Sequence, residues 1–179
     1  LYWLVWGISL IGLLVLFLFA FTFLVNIIAS PFNSILSTKV EQLLTGSAQE
    51  STVSPWLIVP RSVGRELSKI VYVLPRLLGL ILITIIPVIN MVAPFLWVLF
   101  GAWMISIQFV DYAADNNDVS FEKLKSRMSE KRFDALMFGL PAYLLLMVPV
   151  VNLILMPTGV AGGTRFWVEH LRYVSCKCK

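Results

Sequence analysis

The sequence begins with an uncharged segment that runs from Leu1 to Ala29. This segment exceeds the roughly 20 apolar residues that an α-helix needs to cross the hydrocarbon core of a bilayer. Its aromatic residues Tyr2, Trp3 and Trp6 are typical of a membrane–water interface. The whole chain is 59% hydrophobic and 13% charged, whereas soluble domains are about 25% charged. The sequence therefore predicts an integral membrane protein whose first transmembrane helix covers residues 1–29.

Two amphipathic helices are expected next, within residues 30–75. At the start of the first, Ser30 can act as the cap and Pro31 suits the first helical position, while Gly46 suits the stop. The apolar side chains of this helix share one face, so it is expected to lie against membrane or protein. The second helix is predicted to begin at Pro55. Basic residues recur at every fourth position along it, at Arg61, Arg65 and Lys69.

A proline–asparagine motif occurs twice in the uncharged parts of the chain. The stretch "IIPVINMVAPF" contains Pro87 and Asn90, and "MVPVVNLILMP" contains Pro149 and Asn152 at equivalent positions. Proline leaves a backbone carbonyl unpartnered, and asparagine can bond to its own backbone in a tight turn. The sequence predicts two helical hairpins with these residues at their tips, over residues 76–110 and 135–166.

The expected length of the hairpin arms favours partial penetration of the membrane. A turn over residues 90–94 leaves uncharged arms of about 14 and 16 residues, which reach about 21 to 24 Å, against a hydrocarbon core of about 30 Å. The second hairpin is predicted to divide within residues 152–157. Two full hairpins of tilted or longer helices remain the alternative. Because lipid cannot satisfy a broken backbone, both tips are expected to be buried in protein or to line water.

Paired breaks of this kind have two interpretations. Broken helices at corresponding positions of two repeats are typical of a transport site near the middle of the bilayer. The simpler interpretation is a pair of capped tight turns. The two interpretations are compatible.

The basic residues predict the orientation of the chain. All 14 Lys and Arg residues follow the first helix, and a hairpin of either kind returns the chain to the side that it left. The positive-inside rule therefore places the basic segments in the cytoplasm. A polar segment, residues 111–134, and the tail, residues 167–179, are expected on that side. The chain is predicted to form a single membrane domain over residues 1–179.

Four ordered blocks of the sequence resemble the CysZ-type sulfate permeases of bacterial inner membranes. These blocks read "ASPFNSILSTKVEQLLTG", "VPRSVGRELSK", "APFLWVLFGAWMISIQFVDYAADNN" followed by "VSFEKLK", and "PVVNLILMPTGVAGGTRFWVE". The resemblance implies uptake of sulfate for cysteine biosynthesis. It also implies an all-helical fold with long transmembrane helices and shorter intramembrane hairpins, assembled as an oligomer.

The chain differs from this family in two places. Family members have a further amino-terminal segment with a Gly-Leu-Arg type motif associated with sulfate contact, and the present chain is expected to lack that segment. The acidic stretch of the family reads Asp-Tyr-Pro-x-Asp-Asn, whereas Ala113 follows Asp111 and Tyr112 here. The second difference puts the rigidity of that turn in doubt.

The basic side chains are the first candidates for contact with sulfate. A divalent oxyanion needs a hydrated or hydrogen-bonded route, for which guanidinium groups, helix amino termini and neutral donors are suitable. We expect the permeation residues to be the three basic residues of the second amphipathic helix and a fourth one beyond it: Arg61, Arg65, Lys69 and Arg76. A solvated face or an anchor for lipid headgroups is the alternative. Glu66 is expected to pair locally with Lys69 and to orient that face.

Several polar residues are expected to support this route. Asp111, Asp115 and Asn116 lie in a segment that is predicted to form a structural turn, with a carboxylate partner for the basic residues as the alternative. Either Asp118 or Ser120 is expected to cap the helix that follows.

Two further residues are weaker candidates for the route. Asn33 is either a neutral donor or a helix cap. Arg165 either points toward the hairpin mouth or snorkels to the membrane surface. The glycines that precede it, Gly159, Gly162 and Gly163, are expected to let helices pack closely, with no direct part in permeation.

Other functional classes find little support in the residues. His170 is the only histidine, and Cys176 and Cys178 are too few for a zinc site. We expect no catalytic residues, metal, cofactor or nucleic-acid partner, so an intramembrane enzyme is the least favoured reading.

The leading hypothesis is a sulfate permease, with sulfite as a possible competitor, membrane lipid around it and other copies of the chain as partners. The alternative is a membrane scaffold or regulatory subunit with a lipid-binding basic face.

Overall fold

The fold is all-helical over the described residues 2–47, 55–87 and 89–172 of a computed structural model. This result confirms the predicted fold class. Three of the described helical segments are long and apolar enough to cross a membrane: Tyr2–Val25, Pro60–Ile85 and Ala93–Asn116. The helices in chain order are α1 (Tyr2–Thr45), α2 (Pro55–Ile85), α3 (Ala93–Asn116), α4 (Phe121–Glu130), α5 (Arg132–Leu146) and α6 (Pro149–Phe166). A 3₁₀ turn, Ile89–Met91, separates α2 from α3, and α6 continues into a π-helical turn, Trp167–Leu171.

Helix α1 is longer than the sequence predicted. The expected start of a new helix at Ser30 and Pro31 is wrong, because α1 continues through Pro31 to Thr45. Proline costs one backbone hydrogen bond, but a helix that continues keeps the remaining backbone groups paired next to lipid. The predicted stop is confirmed. Gly46 has a φ of +71°, and its N–H donates to the carbonyl of Gln42 over 2.9 Å.

Helices α2 and α3 form the first hairpin, which we call hairpin one. The turn lies between Ile85 and Ala93, close to the predicted position. The expected short arms are wrong here, because α2 has 31 residues and α3 has 24. Both helices extend past the uncharged block into segments that carry charge, and the opposite charges of the two segments pair with each other. Asp111 and Asp115 accordingly belong to α3 and not to the turn predicted for them.

Helices α5 and α6 form the second hairpin, hairpin two. They have 15 and 18 residues, which correspond to about 22 and 27 Å, less than a hydrocarbon core of about 30 Å. The predicted break within residues 152–157 is wrong, because the chain turns at Met147 and Val148 and Pro157 lies inside α6. Pro149 occupies the first turn of α6, where its missing N–H removes no helical hydrogen bond.

Helix α3 lies at the centre of the fold. Its second half packs with α4, the π-helical turn and single residues of α5 and α6 in the main buried cluster: Ile107, Val110, Ala113, Ala114, Phe121, Leu124, Met128, Ala135, Phe166, Trp167 and Leu171. Helix α6 approaches α3 closely at Gly163, where a Cβ atom would lie 2.6 Å from the backbone of Phe109. The close packing predicted for the glycines of α6 is therefore present.

The two halves of α1 differ in burial. No residue of the segment Tyr2–Val25 is buried in this chain, and most of its side chains are exposed. Further along, the apolar side chains of Phe32 and Leu43 remain 71% and 86% exposed, whereas Ser37 and Glu41 are buried. The second half of α1 therefore turns its polar face toward α3 and α6, and its apolar face outward.

Candidate functional site

Polar side chains from α1, α2 and α3 meet in two neighbouring sets of hydrogen bonds and ion pairs, which together we call the polar layer. It lies just beyond the uncharged part of α1, where α2 and α3 carry their charges. Its members from α1 are Asn33, Ser34 and Thr38. Its members from α2 are Arg61, Arg65, Glu66 and Lys69. Its members from α3 and the turn after it are Gln108, Asp111, Tyr112, Asp115, Asn116 and Asp118.

The most buried part of the polar layer is the group formed by Arg65, Lys69 and Asp111. The Nη2 atom of Arg65 lies 2.6 Å from Oδ1 of Asp111, and Nζ of Lys69 lies 2.8 Å from Oδ2 of the same carboxylate. The side chain of Lys69 is 7% exposed and that of Asp111 is 5% exposed. Glu66 also pairs with Lys69, at 2.8 Å, as the sequence predicted. Each ion therefore has a partner of opposite sign within contact distance.

Arg61 forms the outer part of the same network. Its Nε atom donates to Oδ1 of Asp115 over 2.8 Å, and its Nη1 atom donates to Oδ1 of Asp118 over 2.7 Å. Its Nη2 atom donates to the carbonyl of Asp115 over 2.8 Å. Arg65 shares the Asp115 carboxylate, also at 2.8 Å. Asp115 therefore joins the outer and the buried ion pairs, and the side chain of Arg61 remains 30% exposed.

The ion pairs leave the charged part of the polar layer without a positive excess. Three cations, Arg61, Arg65 and Lys69, face the carboxylates of Glu66, Asp111, Asp115 and Asp118. Three positive and four negative charges give a net charge of −1. A dianion would be repelled by this sum, so the three basic residues cannot form an anion site in this arrangement without a change of partners. Their evident physical effect is to tie α2 to α3.

Neutral donors and acceptors continue the polar layer from the ion pairs to α1. Lys69 donates to Oε1 of Gln108 over 3.1 Å, and Nε2 of Gln108 donates to the hydroxyl of Tyr112 over 3.5 Å. The amide of Asn33 donates to the same hydroxyl over 3.2 Å. Asn33 is therefore a side-chain donor within the polar layer, and α1 continues through it without a cap.

A second set of neutral contacts joins the end of α3 to α1. The amide of Asn116 donates to the carbonyl of Ser34 over 2.8 Å and to the hydroxyl of Thr38 over 3.0 Å, and the hydroxyl of Ser34 donates to the side-chain carbonyl of Asn116. One turn further, the hydroxyls of Ser37 and Thr164 lie 2.8 Å apart and both side chains are fully buried. This contact fastens α1 to α6.

A buried carboxylate lies next to these contacts. Glu41 is 1% exposed, and its Oε2 atom accepts from the amide of Asn117 over 2.8 Å. Its Oε1 atom lies 3.5 Å from Nη1 of Arg172, and neither atom has a hydrogen-bond partner among the described residues. Beyond Arg172, the expectations for Cys176 and Cys178 lie outside the described residues.

Not all the predicted site residues reach the polar layer. Arg165 is exposed and pairs with Glu169 on its own helical face, at 2.7 Å. Arg76 is exposed near Tyr72, whose carbonyl accepts from its Nη1 atom over 2.7 Å. At the tip of hairpin one, Pro87 and Asn90 are exposed on this chain. The tip of hairpin one therefore does not belong to the polar layer, and the expectations for Pro149 and Asn152 concern side chains outside the described ones.

Several members of the site were missed from the sequence. Ser34, Ser37, Thr38 and Glu41 recur at helical spacing, so they share one face of α1. This polar stripe could have been recognised as the complement of the apolar face. It was missed because an amphipathic helix beside a membrane is usually expected to face the protein with its apolar side. Gln108 and Tyr112 carry the same signal, because they share helical spacing with Asp111, Asp115 and Asn116. Thr164 carries none, since the residues three and four positions away from it are apolar.

The arrangement defines a class of protein. Three helical segments able to cross a membrane, two hairpins and a hydrogen-bonded layer of ionisable groups between the helices make this a helical membrane protein. Within the described part of the chain, no group of His, Cys, Asp and Glu could hold a metal ion. Ionisable groups placed inside such a bundle are typical of pathways for ions and solutes.

Comparison with known proteins identifies the family. The family described as "Sulfate transporter CysZ/Etoposide-induced protein 2.4" matches residues 1–157, and the chain belongs to it. The sequence is 46% identical over 156 residues to "Sulfate transporter CysZ" of Pseudomonas fluorescens (strain SBW25), covering 85% of this chain and 61% of that protein. A protein of the same name from strain Pf0-1 is 41% identical over 172 residues, covering 94% of this chain and 68% of that protein.

A more distant relative agrees. "Sulfate transporter CysZ" of Vibrio atlanticus (strain LGP32) is 37% identical over 173 residues, covering 95% of this chain and 69% of that protein. The chain thus spans between 61% and 69% of the length of these three relatives. The resemblance that the sequence motifs carried is confirmed.

Proposed function

We propose that this protein is a sulfate permease of the bacterial inner membrane that supplies sulfate for cysteine biosynthesis. The single observation that carries the proposal is the match to proteins named sulfate transporter over 94% of the chain. The polar layer supports it, because an ion needs hydrogen-bonding groups to replace its hydration shell.

The polar layer supplies two functions in this proposal. The neutral side chains of Asn33, Tyr112 and Asn116 offer weak contacts, which allow a sulfate ion to be released again. Arg65 and Lys69 keep α2 and α3 together through Asp111, and Arg61, as the exposed basic residue, is the first of them to meet the ion. Passage of sulfate then requires Asp115 or Asp118 to release Arg61 for a moment.

The remaining parts of the proposal concern the surroundings of the chain. The basic segments lie on the cytoplasmic side, according to the distribution of Lys and Arg. The exposed segment Tyr2–Val25 contacts lipid or another copy of the chain in a homo-oligomer. Sulfite, an oxyanion of similar shape, competes with sulfate. Hairpin two, with its shorter arms, penetrates the membrane only in part.

Uptake of labelled sulfate into liposomes that contain only the purified protein tests the proposal. We expect protein-dependent uptake that sulfite reduces and that chloride does not. The variant Arg61→Ala is expected to lower the initial rate about tenfold, the effect of losing one charge-assisted contact. Lys123→Ala, on the exposed face of α4, is the control of equal charge change and is expected to transport normally.

Two other results of this assay have a clear meaning. Unchanged uptake by Arg61→Ala would place the first contact with sulfate elsewhere. No uptake by the folded wild-type protein would contradict the permease and favour a scaffold or regulatory subunit. That second candidate is suggested by the basic residues outside the polar layer, such as Arg76 and Arg132, which could bind anionic lipid.

A further inference from the structure

A cavity of about 550 Å³ lies between the arms of hairpin one, beside α4 and α5. It is separate from the polar layer. One part of its wall is aliphatic or aromatic hydrocarbon, supplied by Leu80, Leu96, Leu99, Phe100 and Leu136. The other part carries polar groups, supplied by Tyr72, Arg76, Trp103, Ser129 and Arg132. A cavity with two such parts is suited to a ligand that is itself part polar and part hydrocarbon.

The two parts of the cavity are arranged along the hairpin. Helix α2 runs from the charged base of the hairpin to its tip, so Tyr72 and Arg76 lie nearer the base than Leu80. Helix α3 runs in the opposite direction, so Leu96 lies nearer the tip than Trp103. The polar part of the cavity therefore faces the charged base, and the apolar part faces the tip, which is the end inserted in the membrane. A lipid molecule beside the hairpin has its headgroup and its chains in the same order.

Two guanidinium groups at the polar end have hydrogen-bonding capacity to spare. Arg76 lies over the ring of Tyr72, at 3.6 Å from its centroid, and donates one hydrogen bond to the Tyr72 carbonyl. Arg132 donates from Nε to the carbonyl of Ser129 over 2.9 Å. The described residues offer no ion pair to either side chain, in contrast with Arg61 and Arg65. The Tyr72 ring is itself fixed in place, because its hydroxyl accepts from Nε1 of Trp103 over 3.1 Å.

We propose that this cavity binds one anionic phospholipid, with its phosphate between Arg76 and Arg132 and an acyl chain along Leu80, Leu96 and Leu99. Two guanidinium groups match the oxygens of a phosphate group. The acyl chain covers apolar side chains that face the hairpin tip. A lipid in this position connects α2 to α5, and so connects hairpin one to hairpin two.

A free oxyanion fits the cavity less well than a lipid does. It would use the two guanidinium groups but would leave the hydrocarbon wall, which forms half of the lining residues, without an occupant. The cavity is also open at its apolar wall, since the lining residue Leu99 is 47% exposed and contacts lipid in a membrane. Both ligands would contact the two arginines, so only the acyl chain of the lipid, which fills the apolar part of the cavity, distinguishes a phospholipid from a free anion.

Native mass spectrometry of the purified protein in detergent, with added phosphatidylglycerol or phosphatidylcholine, tests the proposal. The wild-type protein is expected to retain one phosphatidylglycerol molecule in preference to phosphatidylcholine. The double variant Arg76→Gln/Arg132→Gln is expected to bind phosphatidylglycerol about thirtyfold more weakly, the sum of two basic contacts with an anionic lipid. The control Lys39→Gln/Lys123→Gln removes the same charge from exposed positions and is expected to bind like the wild type.

A third variant separates the lipid from a free anion. Leu99→Trp leaves both arginines in place and fills the apolar part of the cavity, so we expect it to weaken the binding of phosphatidylglycerol. The fold should accept the larger side chain, because Leu99 is 47% exposed. Equal binding of the two lipids by the wild type, or equal binding by the arginine variant and its control, would overturn the proposal. Displacement of the bound lipid by an equal concentration of sodium sulfate would overturn it in favour of a site for free anions.

Discussion

Hairpin one and hairpin two carry the same Pro-Val-x-Asn motif at their turns, but they are held in the fold by different forces. In hairpin one, ion pairs at the base tie α2 to α3, centred on Asp111 and Asp115. In hairpin two, glycines bring α6 within contact distance of the α3 backbone, and the neutral pair Ser37 and Thr164 fastens α6 to α1. The motif lies within the turn of hairpin one, whereas in hairpin two only its proline lies at the turn and its asparagine belongs to α6. The contacts at the base therefore distinguish the two hairpins more than the motif that they share.

The largest expected effect comes from breaking the ion pairs of hairpin one. Asp111→Ala leaves Arg65 and Lys69 buried without their shared carboxylate, and removing one partner of a buried pair costs about 3–5 kcal/mol. We expect a loss of this size in the free energy of unfolding, measured by titration with a denaturing detergent and followed by circular dichroism. Asp118→Asn is the matched control, since the Asp118 carboxylate is 60% exposed and contacts only the outer pair, and asparagine tolerates the φ of +55° at this position.

The control variant should lose about 1 kcal/mol or less, as exposed ion pairs do. Equal losses in Asp111→Ala and Asp118→Asn would contradict the assignment of Asp111 as the centre of the ion pairs that hold hairpin one. The buried pairs would then contribute no more than surface pairs do.

The next effect belongs to hairpin two. In Gly163→Ala the new Cβ atom would lie 2.6 Å from the backbone of Phe109, which cannot rotate away, and overpacking of this kind costs about 1–3 kcal/mol. Gly162→Ala is the control within the same helix, because its Cβ atom would meet only the ring of Phe138, at 3.0 Å. If the two variants unfold at the same detergent concentration, close contact between α6 and α3 is not what holds hairpin two.

A smaller effect is expected where hairpin two joins α1. Ser37→Ala removes one hydroxyl of a buried pair and leaves Thr164 without that partner, at a cost of about 1 kcal/mol. The double variant Ser37→Ala/Thr164→Val removes both hydroxyls, so it is expected to lose less than the sum of the two single variants. Strictly additive losses in a double-mutant cycle would show that the two hydroxyls do not interact.

The sequence predicted the positions of the first helices because these depend on the local pattern of apolar residues, prolines and glycines. The uncharged segment from Leu1, the start of α2 at Pro55 and the stop at Gly46 all follow from local physical rules, and the structure has them. The arms of hairpin one were predicted too short because length was counted from uncharged residues alone. A charge ends a membrane segment only when it has no partner, and the partners of Arg65 and Lys69 lie on another helix.

In the candidate site, too, the sequence did not reveal which residues of different helices are partners. The basic residues of α2 were recognisable one by one, but their net effect depends on the carboxylates that the fold places opposite them. No local rule could indicate that Asp111 would lie 2.6 Å from Arg65, across 46 residues of sequence. The sequence offered a carboxylate partner for the basic residues only as the alternative to a structural turn, and the packing of α2 on α3 shows that this alternative is correct.

The smallest effect is expected in hairpin one, at Gly79. This glycine makes no close contact with another helix, unlike Gly163 in hairpin two. A Cβ atom at Gly79 would meet no atom within 4 Å. Gly79→Ala should therefore stabilise α2 by about 0.5–1 kcal/mol, since alanine loses less backbone entropy than glycine in a helix. The same detergent titration measures this gain, with Gly163→Ala as the variant of opposite sign.

A loss of stability in Gly79→Ala would mean that another surface packs against α2 at this position in the assembled protein. The arms of hairpin one would then depend on close packing as those of hairpin two do, and the contrast between the hairpins would be confined to their bases.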